Sequence, residues 1–84
     1  MSPPASLDEL RRICIEGLAR TLALPPERID PAVKFARHGL DSAMAVTYVL
    51  ELEGLTGLEL APELVFEHPT IELLAGNLWR RILG

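Results

Sequence analysis

The sequence predicts a small all-α bundle of four helices, three long and one short, with a long loop after the first helix. Three observations carry this expectation. Apolar residues recur at spacings of three and four in three separate segments. Each of those segments opens on a residue suited to cap a helix, and no stretch sustains the two-residue alternation of a strand. With 84 residues the chain has room for one domain and one modest core.

Positions 1–5 contain Pro3 and Pro4 among small residues and read as a flexible lead-in, with the domain at 6–84. Ser6 is the expected N-cap of the first helix, and Glu9, three residues on, completes a capping box. Leu7, Leu10, Cys14, Leu18 and Leu22 form its apolar stripe, with Glu9, Arg12, Glu16 and Arg20 on the other side; Pro25 and Pro26 end it. From Pro25 to Leu40 the periodicity disappears. Ile29, Val33 and Phe35 are isolated apolar anchors there, enough to pin the loop to the core.

A second long helix is predicted from Ser42 to Thr56, between an Asp41 N-cap and a Gly57 C-cap. Ala45, Tyr48, Val49, Leu52 and Leu55 make its core stripe. Met44, Val46 and Leu50 widen the apolar arc well past the roughly 100° a surface helix needs, leaving Thr47 and Glu51 as the clearly polar side. Either this helix is central to the bundle or part of its surface meets something else; the pattern supports both. Pro62 to Phe66 suits a short helical turn, which His68 and Pro69 close. Thr70 caps the last helix, where Ile71, Leu74, Ala75, Leu78, Trp79 and Ile82 share a face and Arg80 and Arg81 suit the negative end of the dipole.

Composition narrows the function classes. Cys14 is the sole cysteine, so no internal disulfide forms, and with two histidines it makes a poor metal site. No apolar run approaches the roughly 20 residues of a membrane span, and no signal segment opens the chain, so the expected location is cytoplasmic. A net charge of −4 disfavours nucleic acid and anionic membrane and favours partners with basic docking patches.

The chemistry-bearing segment is Gly39-Leu40-Asp41-Ser42. A serine directly after an N-cap sits in the first helical turn, among unsatisfied N–H groups at the positive end of the dipole, where a phosphodiester is well placed. Gly39 lets the backbone turn sharply before the helix, leaving Ser42 prominent.

Phe35-Ala36-Arg37-His38-Gly39-Leu40-Asp41-Ser42 resembles the phosphopantetheine attachment motif of acyl carrier proteins. The resemblance continues through Leu52-Glu53, Thr56-Gly57-Leu58 and Val65-Phe66-Glu67-His68-Pro69-Thr70-Ile71 to Leu74-Ala75, covering roughly residues 7–83. An Asp-Ser pair alone is weak evidence; Gly-Leu-Asp-Ser opening a helix with Phe-Glu-His-Pro-Thr downstream is strong. The downstream segment is closer to carrier domains of modular polyketide synthases than to the standalone fatty-acid type. Peptidyl carriers usually show Gly-Gly-x-Ser, from which Leu40-Asp41 departs.

The resemblance implies covalent 4′-phosphopantetheine on Ser42, taken from coenzyme A by a phosphopantetheinyl transferase. It implies Asp41 as cap and presenter of Ser42, and acyl cargo held as a thioester on the arm. Implied partners are a ketosynthase, an acyltransferase or acyl-loading enzyme, and tailoring domains, met through Leu40, Ala43, Met44, Thr47 and Glu51. Ala43 is a departure, since the family most often has a large apolar residue there; Met44 is the candidate to replace that contact. The domain is expected to be a monomeric carrier and a transferase substrate, not an enzyme. The alternatives are a peptidyl or aryl carrier of a nonribosomal synthetase and, from another class, a helical interaction module with a coincidental Asp-Ser.

His38, Asp41 and Ser42 do not make a hydrolase. A triad gathers residues from distant parts of a fold, and no Gly-x-Ser-x-Gly elbow is present. His38 and Arg37 read as solvated loop residues, His68 as a helix end, Tyr48 and Trp79 as core, and Cys14 as buried rather than reactive.

Overall fold

The computed structural model describes residues 4–84, which form five helices. These are α1 (Leu7–Leu22), α2 (Phe35–His38), α3 (Ser42–Thr56), α4 (Leu64–Glu67) and α5 (Ile71–Leu83), with a 3-10 turn at Pro26–Arg28. The three long helices are those the periodicity predicts, and the short helical turn expected at Pro62 to Phe66 forms two residues later, as α4. The four-residue α2, inside the expected loop, is new: it is too short to show a period. The described residues contain no strand, only an isolated antiparallel bridge between Lys34 and Thr70.

Helix α1 begins as expected, with Ser6 Oγ accepting from the Glu9 N–H at 3.1 Å. The capping box differs in detail, because the Glu9 carboxylate accepts from the Ala5 N–H at 3.0 Å instead of turning back to Ser6. Pro4 is buried. The expected flexible lead-in is therefore docked at positions 4 and 5, while positions 1–3 lie outside the described residues.

The helix ends at Leu22, ahead of the prolines. Ala23 adopts a left-handed conformation at φ 56. Its N–H bonds the Arg20 carbonyl, and the Leu24 N–H bonds the Ala19 carbonyl at 2.9 Å. This is a Schellman cap with alanine where glycine is favoured. Because a left-handed alanine crowds its Cβ against the backbone, Ala23→Gly is expected to stabilise the domain by about 0.5–1 kcal/mol. A rise of roughly 2–8 °C in melting temperature would show it.

Both α3 and α5 pack against α1. Leu10, Cys14 and Leu18 from α1 meet Tyr48 and Leu52 from α3 and Ile71, Leu74 and Leu78 from α5, all fully buried. Leu7, Leu22 and Trp79, expected in the core, are only partly buried and pack at its rim. On α3 the last buried position belongs to Thr56 instead of Leu55. The Thr56 hydroxyl satisfies itself on the Leu52 carbonyl at 2.7 Å. Across the surface, Arg20 pairs with Glu51 at 2.5 Å and Arg11 with Glu72 at 2.6 Å, joining α1 to α3 and to α5.

Tyr48 is the centre of this core. Its hydroxyl donates to the Cys14 carbonyl at 2.8 Å, and its ring meets Phe35 edge-on at 5.7 Å. Gly17 packs beneath it, where a Cβ would lie 3.4 Å from the ring, at van der Waals contact. Burial pushes the Cys14 thiol up to about 12 from 9.0, against the opposing effect of a hydrogen bond with Tyr48. The Tyr48 phenol is raised as well, chiefly by burial.

These shifts set an alkaline limit. Above pH 9 the unfolded chain releases the thiol proton while the folded chain keeps it until about 12. The unfolded state then binds fewer protons, so stability falls as pH rises through that window. The urea midpoint is expected to be lower at pH 10.5 than at pH 8, with a smaller drop in Cys14→Ala.

Candidate functional site

The segment before α3 is built by local caps. Gly39 ends α2 in a left-handed conformation at φ 103, where a side chain would be strained. Its N–H bonds the Ala36 carbonyl at 3.2 Å, and the Leu40 N–H bonds that of Phe35 at 3.1 Å. The turn drives Leu40 into the core and brings Asp41 out as the next cap. Asp41 Oδ1 accepts from the Met44 N–H at 2.8 Å, and the Asp41 carbonyl accepts from the Ala45 N–H.

Ser42 is therefore the first residue of α3, exposed to solvent. The N–H groups of Ser42 and Ala43 have no intrahelical carbonyl within reach. No acidic residue lies in the first turn of α3, and the adjacent Asp41 charge is directed into the cap. A Cβ at Gly39 would meet nothing within 4 Å among the described residues. An exposed primary hydroxyl flanked by free donors at a positive helix end suits a phosphodiester linkage, so the residues present fit a phosphopantetheine arm.

Tertiary pairing holds the loop that delivers this turn. The Phe35 N–H bonds the Pro69 carbonyl at 2.8 Å, and the Glu72 N–H bonds that of Pro31 at 3.1 Å. The His38 Nε2 lies 3.1 Å from the Asp30 carbonyl, so this residue staples the loop and is not free in solvent as expected. Arg37 is exposed. His38 and Asp41 are each engaged elsewhere and do not form a relay with Ser42.

The five residues expected to face partners fare unevenly. Ala43 and Thr47 are exposed. Met44 is half-buried against the core, and Glu51 is half-buried and paired with Arg20. Leu40 is a correction: at 8% exposure it belongs to the core, because the Gly39 turn points it inward. It lines an apolar depression of about 110 Å³ with Phe35, Val65, Phe66 and Pro69. Sequence reasoning left open whether Val46 and Leu50 face the core or the surface. They are 43% and 61% exposed, and the over-wide apolar arc of α3 was their signal.

The fold is a helical bundle that presents an exposed serine hydroxyl at the start of a long helix. Residues 15–78 match the family described as "Phosphopantetheine attachment site". The chain belongs to that family, whose cofactor is covalently attached 4′-phosphopantetheine.

Among curated relatives, mycoketide-CoA synthase of Mycobacterium tuberculosis is 44% identical over 59 residues, covering 70% of this chain. A phenolphthiocerol/phthiocerol polyketide synthase polypeptide of the same species is 38% identical over 78 residues, covering 88%. The chain spans only 1% and 4% of those relatives. Among solved structures, a free-standing peptidyl carrier protein from Acinetobacter baumannii superposes with a TM-score of 0.87 at 38% identity, covering 92% of this chain and 96% of that one. The HMG-ACPI domain of the CurA module from Lyngbya majuscula gives 0.84 at 25% identity, covering 89% and 76%.

Proposed function

We propose that Ser42 is the attachment residue and that the domain shuttles acyl intermediates in polyketide assembly. The observation that carries this reading is the exposed Ser42 hydroxyl, set by the Asp41 cap at the start of α3 inside the family-matched segment. The Ser42 oxygen attacks the pantetheine-bearing phosphorus of coenzyme A. The phosphoanhydride bond to the adenosine half breaks, that half leaves as the 3′,5′-bisphosphate, and a base of the transferase takes the hydroxyl proton. Once bound, the arm supplies a terminal thiol that holds acyl groups as thioesters. Asp41 keeps the first turn formed and Ser42 presented. The partners in this reading are the transferase, a ketosynthase, an acyltransferase or other loading enzyme, and tailoring domains.

Relatives named as polyketide synthases and the Leu40-Asp41 sequence support the polyketide assignment. A peptidyl carrier is the second reading, favoured by the likeness to a free-standing peptidyl carrier over 96% of its length. Incubation with coenzyme A, magnesium and a promiscuous phosphopantetheinyl transferase, followed by intact mass, tests the carrier chemistry. A gain of one phosphopantetheinyl group supports it; no gain from folded protein with several transferases sinks it. Loading assays with malonyl-type, aminoacyl and aryl donors then divide the cargo readings.

A further inference from the structure

Helix α2 is too short to hold its own shape, because starting a helix costs more than a single turn returns. Its order comes from what it touches. At its start the Phe35 N–H bonds the Pro69 carbonyl at 2.8 Å, and the Phe35 ring packs edge-on against Tyr48. Toward its end Ala36 and Arg37 are exposed, and His38 is half-buried. The bonds from the Gly39 and Leu40 N–H groups stay inside the segment. Among the described residues, the contact of His38 Nε2 with the Asp30 carbonyl, at 3.1 Å, is the one side-chain hydrogen bond that leaves α2.

The acceptor is itself fixed. The Asp30 carbonyl also accepts from the Val33 N–H at 3.1 Å, and Asp30 Oδ1 accepts from the Ala32 N–H at 2.9 Å, so a closed turn holds the oxygen. Ile29, just before that turn, is buried. Within it, the Pro31 carbonyl accepts from the Glu72 N–H of α5 at 3.1 Å. A carbonyl oxygen only accepts, which assigns the ring proton to Nε2. One imidazole N–H thereby connects the end of α2 to a turn pinned on α5.

We infer that His38 is a positioning residue for loading: its Nε2–H holds the end of α2 and, through Gly39, Leu40 and Asp41, holds Ser42 within reach of a transferase. The inference rests on reading Ser42 as the attachment residue. Rotation of α2 about its axis would carry the Gly39 turn with it, and that turn sets both the inward course of Leu40 and the outward course of Asp41. Without the staple, the presented geometry becomes one of several that the turn samples. A transferase that binds one of them then meets an affinity lowered by the fraction of molecules in it, while turnover of the bound complex is unchanged. The ring does not act on Ser42 directly, because its Nε2 is committed to Asp30.

The test is steady-state loading of apo protein by a promiscuous phosphopantetheinyl transferase with coenzyme A, read by intact mass well below the melting temperature. His38→Phe keeps a ring and removes the donor. It is expected to raise KM for the carrier about three- to tenfold, the ratio one hydrogen bond is worth, with kcat within about twofold of wild type. The amide nitrogen of His38→Gln reaches the place of Nε2, so this variant is expected to bring KM back to within about twofold of wild type. In His38→Asn the nitrogen is one bond short and KM stays raised. A role in stability alone would lower the melting temperature of His38→Phe and move neither kinetic constant. An unchanged KM in folded His38→Phe, a fall in kcat in its place, or no rescue by Gln overturns the positioning role while leaving Ser42 as the attachment residue. Should His38→Phe not fold, the Gln and Asn variants decide, and equal KM values in the two overturn the role. Wild-type protein that never loads removes the attachment residue itself, and the role of His38 with it.

Discussion

Ser42→Ala is expected to abolish phosphopantetheine loading completely while leaving the fold intact. The reaction needs an oxygen nucleophile at this position, and no neighbour can replace it: Ala43 has none, and the Asp41 Oδ1 is held in the helix cap. The cap that starts α3 belongs to Asp41, and Ser42 is exposed, so the substitution removes chemistry without removing structure. Surface changes of this kind stay within about 0.5 kcal/mol. Intact mass after exhaustive incubation and a thermal melt read the two halves of the expectation. Partial loading of the variant would show that another side chain accepts the arm.

Tyr48→Ala is expected to cost the domain most of its stability. Truncating a fully buried aromatic residue costs about 3–5 kcal/mol, and a domain of this length holds only about 4–13 kcal/mol in total. Three contacts would go at once: the hydrogen bond to the Cys14 carbonyl, the edge-on contact with Phe35 and the packing over Gly17. Loss of the Phe35 contact also loosens the segment that leads through Gly39 to Ser42. Tyr48→Phe, which keeps the ring, is expected to cost about 1 kcal/mol for the hydrogen bond alone. Urea titrations of the two variants against the parent make the comparison. Equal losses would mean that the hydroxyl, and not the ring, holds the centre.

Most of the architecture was legible because long helices carry their own signals. The caps at Ser6, Asp41 and Thr70 each rest on a side-chain oxygen and a backbone N–H three residues on, a relation that a local pattern contains entirely. The candidate site was legible for the same reason. Helix α2 was not: four residues cannot display a 3.6-residue period, and, unlike α4, which a proline precedes and His68-Pro69 closes, it lies in a segment whose surroundings are held by long-range bonds from Phe35 to Pro69 and from Glu72 to Pro31. The inward turn of Leu40 was hidden too, since a motif places it beside the site without telling which way it faces.

The amino-acid order by itself determined that this is an all-helical bundle with a capped serine at the start of a helix, since periodicity and capping act over a few neighbouring residues. The tertiary structure alone decided which part of the apolar arc of α3 faces α1 and which stays open. It also decided that Glu51 is tied to Arg20 and that Leu40 is sealed inside. These outcomes depend on residues distant along the chain, brought together only when α1 packs between α3 and α5.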